Sequence, residues 1–145
     1  MNNKQRPSPH AFWMQLAALY AQRATCLRRK CAALFVQGGR LVVAGYNGAP
    51  SGQPHCIDDG VGCLMVENHC ARCLHAEYAA ICFAAVKGIA IGSSTVYIHG
   101  GTPCRNCALG LIAVGVKEIY VDAKYPDDVA LRLLDMAGVK VVEMW

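Results

Sequence analysis

The chain has 145 residues, 54% of them hydrophobic and 17% charged, with nine cysteines and a formal charge of +4. That is the size of one domain with a full core, residues 1–145, and no uncharged apolar run is long enough for a membrane-spanning helix. Nine cysteines would suit a secreted disulfide scaffold, but the first ten residues are polar, carry two prolines and lack the apolar stretch of a leader. The expectation is therefore a reduced, cytoplasmic, metal-binding protein. So apolar a chain is also expected to bury more than a monomer's core, as a homo-oligomer, dimer or hexamer.

In chain order, residues 9–24 read as a helix, with Phe12, Leu16, Leu19 and Tyr20 recurring on one face. Residues 31–37 and 40–45 flank Gly38-Gly39, a hairpin signal. A long Gly/Pro-containing loop runs from Tyr46 to about Arg72, longer than an idle connection, which points to function or to a metal clip. A helix over His75–Val86, a strand at 94–99, a helix over Pro103–Val114 and a strand at 116–121 follow. Asp127–Ala137 reads as the last helix, stopped by Gly138, and Val139–Met144 as the last strand. The order α-β-β-α-β-α-β-α-β predicts an α/β fold with a mixed sheet between helices on both faces.

His75-Ala76-Glu77 and, further on, Pro103-Cys104-Arg105-Asn106-Cys107 carry the chemistry. A catalytic zinc takes three protein ligands and keeps one position open for water, and His75, Cys104 and Cys107 meet that need. Two cysteines at i and i+3 share a helix face, and Pro103 suits that helix's first turn. Glu77 stands where it can face the open position without binding the metal, as general acid/base. A lone H-x-E is common by chance, and a lone P-C-x-x-C fits half of a structural zinc site or a redox pair; the ordered pair is the signature of zinc nucleobase deaminases. The basic group Arg23, Arg28, Arg29 and Lys30 fits either a phosphate site or a solvated turn.

The pieces Arg23-Ala-Thr-Cys26, Gly45-Tyr-Asn47-Gly48, His55-Cys56, His69-Cys70-Ala-Arg72, His75-Ala-Glu77 and Thr102-Pro-Cys104-Arg-Asn-Cys107 occur here in the order seen in deoxycytidylate deaminases. The chain resembles the bacterial, late-competence-type members of that family from about residue 12 to its end. The resemblance implies a three-layer α-β-α cytidine deaminase-like fold with a five-stranded sheet, and zinc-dependent hydrolysis of dCMP to dUMP and ammonia. It further implies nucleotide contacts from Asn47 and Tyr125, with Arg23 and Arg28 as weaker phosphate candidates, and a small-molecule nucleotide rather than a nucleic acid or membrane as partner. Some phage-type members carry a second, structural zinc; Cys26 and Cys56 match its places, and Cys70 and Cys73 are partners for it, the alternative being core packing. Family members usually have asparagine two residues beyond the glutamate, where this chain has Ala79, which leaves another nucleotide or base as the alternative substrate. A zinc-stabilised nucleotide-binding module without turnover is the alternative from a different class.

Overall fold

The computed structural model describes residues 5–145; the absence of a leader was read partly from residues 1–4, which lie outside the described residues. Helix α1 (Pro9–Ala21) starts where expected, because the Ser8 hydroxyl accepts from the Ala11 backbone N–H and Pro9 opens the first turn. It stops before residue 24: Gln22, Arg23 and Ala24 each donate to the carbonyl three residues back, tightening the chain into turns. The buried face also differs from the expected one. Met14, Ala17 and Ala21 are buried, Leu16 and Tyr20 half-buried, and Phe12 and Leu19 exposed.

Strands β1 (Ala32–Gln37) and β2 (Arg40–Tyr46) form the expected hairpin around Gly38-Gly39, both at positive φ. The long loop that follows contains a small hairpin that the sequence does not announce: β3 (Met65–Val66) and β4 (His69–Cys70), turned at Glu67 and Asn68. Both turn residues have positive φ, 47° and 64°, the geometry of a two-residue hairpin turn without its usual glycine. Helix α2 (Ala76–Lys87), strand β5 (Thr95–His99), helix α3 (Arg105–Ala113), strand β6 (Glu118–Val121), helix α4 (Asp128–Met136) and strand β7 (Lys140–Glu143) complete the chain.

The main sheet has the order β2-β1-β5-β6-β7. β1 pairs antiparallel with both β2 and β5, and β5, β6 and β7 run parallel, so the sheet is mixed. The period-2 alternation of strands separates two cores. Ala33, Phe35, Val96, Ile98, Ile119 and Val121 face α2, α3 and α4. Leu34, Val36, Tyr97 and Tyr120 face α1 on the other side. The result is the three-layer α-β-α arrangement expected. No described helix is long and apolar enough to cross a membrane.

One contact fixes where α2 begins. A Cβ on Gly45 of β2 would overlap the Ala76 carbonyl and lie 2.7 Å from the Ala80 nitrogen, so only glycine lets the helix lie this close on the strand. Ala76, Ala80 and Ala84, all buried, give the matching smooth helix face. Gly45→Ala is therefore expected to cost about 1–3 kcal/mol, the range for overpacking a tight core. Urea unfolding checks this, and an unchanged midpoint would contradict the assigned packing.

Candidate active site

His75 is the residue immediately before α2, and Cys104 the residue immediately before α3; both have extended backbones that turn their side chains off the helix ends. Cys107 lies one turn into α3 and is buried. The two helix starts meet, so that His75 Nδ1 lies 3.3 Å from Cys104 Sγ and 3.5 Å from Cys107 Sγ. A tetrahedral zinc with bonds of about 2.3 Å to sulfur and about 2.0 Å to nitrogen would set such separations at about 3.5 Å. The three donors therefore fit zinc.

The charge of the site points the same way. The Cys104 thiol is lowered to about 4, first by its hydrogen bond with Cys107 and then by His75, whereas Cys107 is pushed up by Cys104 and by burial. The protein's own groups thus stabilise one thiolate of the pair but not two. A cation supplies what the second requires. Glu77, on the first turn of α2, is buried, and loss of solvent holds its carboxyl above the usual carboxylate range against the weaker pull of its own backbone N–H and of His75.

These groups open onto a cavity of about 330 Å³, within the range of small-molecule sites. Asn47, Glu77, Cys104, Arg28 and Tyr125 line it, as does Arg29 of the basic group, and so do Cys31, Asn68 and His69, which the sequence did not single out for it. Arg23 does not: it lies exposed on the turn after α1, outside the cavity wall. Ala79 is also absent from the wall, so the departure from the usual asparagine removes no group that now lines the cavity.

The segment Gly45-Tyr46-Asn47-Gly48 assembles these parts. Beyond the approach at Gly45, Gly48 exchanges two backbone hydrogen bonds with Leu74, the residue before His75. Asn47 is buried, with its Oδ1 accepting from the Cys31 N–H at 2.7 Å and its Nδ2 donating to the Arg29 carbonyl at 2.8 Å. It ties the segment carrying Arg28 and Arg29 to the strand beside α2. Arg28 donates to the Asn68 carbonyl on the small hairpin. Arg29 donates to the Gly100 carbonyl at 2.6 Å and lies over the Tyr125 ring, 5.0 Å from its centre.

A second group of sulfurs adjoins the same wall. Those of Cys26, Cys56, Cys63 and Cys70 lie within 4.8 Å of one another. Cys73 lies 3.5 Å from Cys56 and 4.0 Å from Cys70, and Cys56 and Cys70 are themselves 3.5 Å apart. Tetrahedral zinc thiolates would be about 3.8 Å apart, from a Zn–S bond of about 2.3 Å. Of the expected set, Cys26, Cys56 and Cys70 are brought together, but their fourth neighbour is Cys63, which the spacing did not reveal, while Cys73 stands beside Cys56 and Cys70. The Cys70 thiol is lowered to about 6 by backbone and thiol donors that outweigh its burial, while Cys56 is raised to about 11, chiefly by burial. Here too the fold alone does not ionise every sulfur.

Residues 7–123 match the family model of the cytidine and deoxycytidylate deaminase zinc-binding region. ComE operon protein 2 of Bacillus subtilis is 35% identical over 141 residues, covering 97% of this chain and 73% of that one. The deoxycytidylate deaminase of Schizosaccharomyces pombe is 30% identical over 146 residues, covering 96% of this chain but only 45% of the yeast protein. Among solved structures, the dCMP deaminase of cyanophage S-TIM5 in complex with dCMP and dUMP superposes with a TM-score of 0.82 at 28% identity, covering 97% of this chain and 99% of that one.

Removing the Asn47 amide should loosen the Arg29–Cys31 segment and cost about 1–3 kcal/mol, because two backbone groups lose their partner. Asn47→Ala measured by thermal unfolding should show this, and wild-type stability would mean the bracket carries no load.

Proposed function

The chain belongs to the cytidine and deoxycytidylate deaminase zinc-binding family, and from that membership we propose that it converts dCMP and water to dUMP and ammonia. The observation that carries the reading is the meeting of His75, Cys104 and Cys107 beside a buried Glu77 in one cavity with Arg28 and Arg29. The likeness to a solved dCMP deaminase over almost the whole of both chains supports it.

His75 Nδ1, Cys104 Sγ and Cys107 Sγ would hold zinc, which supplies Lewis-acid activation of water at its open position. Glu77 is the proton carrier. Its carboxylate accepts one proton of the attacking water and passes it to N3 of the cytosine ring, then takes the remaining proton from the new hydroxyl on C4 and gives it to the amine, which leaves as ammonia while the C4 carbonyl forms. Burial suits it to this work, since a carboxylate with raised proton affinity is a better base for water's proton and still returns it as the carboxylic acid. Arg28 and Arg29 bring positive charge to the cavity and Tyr125 an aromatic face, which together suit a nucleotide monophosphate rather than a free base. Asn47 holds the arginine segment in place and lines the cavity itself.

A second zinc belongs to the same reading, held by Cys26, Cys56, Cys70 and Cys73. The spacings of 3.5, 3.5 and 4.0 Å among Cys56, Cys70 and Cys73 suit a tetrahedral site and support Cys73 as the fourth ligand, with Cys63, which lies within 4.8 Å of Cys26, Cys56 and Cys70, as the rival. Its work is structural: it would pin the loop from Gln53 to Arg72, whose hairpin forms one wall of the cavity. Thiolate ligands of this kind suit a reducing, cytoplasmic compartment. A homo-oligomer, a dimer or hexamer of this single domain, is supported by the outer face of α2, where Tyr78, Phe83 and Val86 are exposed, the last at 80%.

Ammonia release from a panel of dCMP, CMP, deoxycytidine and dCTP tests the substrate. Preference for dCMP is expected, and turnover of the others without dCMP would refute the assignment. Glu77→Gln should lower kcat on dCMP by about 10²–10⁴-fold, the usual worth of a general acid/base, with metal content and melting temperature kept. Cys73→Ser should lose about one zinc per chain and destabilise the fold, whereas Cys63→Ser should keep the wild-type metal content. Elemental analysis of the purified variants decides between them.

A further inference from the structure

We infer that Asp122, acting through His99 and Gly100, is a positioning residue for Arg29 and so for the affinity of the site toward the nucleotide's phosphate. The inference rests on the reading of the cavity as a dCMP site.

Asp122 follows β6 and does not line the cavity. Its carboxylate nevertheless takes two hydrogen bonds from the end of the neighbouring strand. Oδ2 is paired with His99 Nδ1 at 2.5 Å, and Oδ1 accepts from the Gly100 N–H at 3.0 Å. The peptide it holds is part of an unusual turn. Gly100 and Gly101 have φ of 106° and 153°. A Cβ on Gly100 would come within 2.7 Å of Cys31 Sγ, and one on Gly101 within 2.9 Å of Arg29 Nη2. The turn is thus pressed against the segment carrying Arg29, and the Gly100 carbonyl accepts from Arg29 Nη2. Asp122 therefore holds Gly100 by its N–H while the carbonyl on the other side of the same Cα holds the guanidinium, so the two contacts are joined through one residue of the turn. The same guanidinium lies over the Tyr125 ring. A side chain as long as arginine loses much rotamer freedom when it grips an anion, and fixing it beforehand spares that loss at binding.

The metal ligands at the far end of the same loop have separate supports. Thr102 Oγ1 accepts from the Tyr125 N–H and donates to the Tyr125 carbonyl. Asp127 accepts from the Arg105 N–H at the start of α3 while capping α4 at Ala130. Cys104 sits between these two brackets. Losing Asp122 should therefore free Arg29 and leave the zinc ligands where they are.

The test compares Asp122→Ala, Asp122→Asn, Arg29→Ala and the double variant Asp122→Ala/Arg29→Ala, by KM and kcat on dCMP, by calorimetric Kd for dUMP, and by zinc content. Asp122→Ala should raise KM and Kd about tenfold, the size expected of weakening one charge-assisted contact, with kcat within about twofold and zinc content unchanged. Asp122→Asn should restore most of the affinity, since the amide oxygen still accepts from Gly100 and His99 can take the opposite tautomer to accept from the amide nitrogen. In the Arg29→Ala background the Asp122→Ala change should add nothing, because both act through one contact. A fall in kcat or zinc content, additive losses in the double variant, or failure of the asparagine to restore affinity would overturn the inference. Absence of dCMP turnover in the wild type would instead overturn the reading of the site on which it rests.

Discussion

The close approach of α2 to β2 at Gly45 is the constraint on which the site depends. Two peptide surfaces without intervening side chains set the height and rotation of the helix, and so place His75 at its start and Glu77 on its inner face. The same short segment continues into Asn47, which fixes the arginine-bearing turn, and Gly48, which clasps the backbone just before His75. One stretch of four residues therefore registers His75, Glu77 and the cationic wall against one another. A catalytic constellation needs such agreement to within a fraction of an ångström, and here backbone contacts supply it.

Charge explains why the site is built at helix starts. The first turns of α2 and α3 present free N–H groups and the positive ends of their dipoles to the sulfurs and to Glu77. This favours thiolate, yet it suffices for only one of the two cysteines, and burial works against ionising Glu77. An arrangement that leaves a charge deficit satisfied by a dication, beside a carboxylate whose affinity for a proton is raised by burial, is suited to hydrolysis at a ring carbon followed by loss of an amine. The cysteine-rich loop repeats the logic for structure: a segment with little secondary structure of its own is drawn together by sulfurs at tetrahedral spacing.

The order of the main strands and helices was legible because their alternation and their glycine stops are local signals, and the meeting of His75, Cys104 and Cys107 because coordination chemistry dictates the spacing of such a set. The face of α1 was misread. Phe12 and Leu19 are apolar but exposed, and the small residues Ala17 and Ala21 lie against the sheet; hydrophobicity alone does not reveal that an interface selects for small size. The hairpin at 65–70 escaped notice because two-residue strands have no periodicity and its turn, Glu67-Asn68, lacks glycine. Arg29 could not be separated from Arg23 and Arg28 by sequence, since only the folded turn at Gly100 and the Tyr125 ring single it out. Cys63 joins the sulfur cluster through the path of the loop, which no spacing rule anticipates.

The account makes one chemical claim above the others: that this site adds water to C4 of dCMP and expels the amine. Turnover of dCMP by the zinc-loaded protein in oxygen-18 water tests it directly, with ammonia assayed alongside mass spectrometry of the nucleotide product. The account predicts dUMP carrying the heavy oxygen at C4, formed in step with ammonia. A fully zinc-loaded, folded protein that binds dCMP but releases neither product would contradict it.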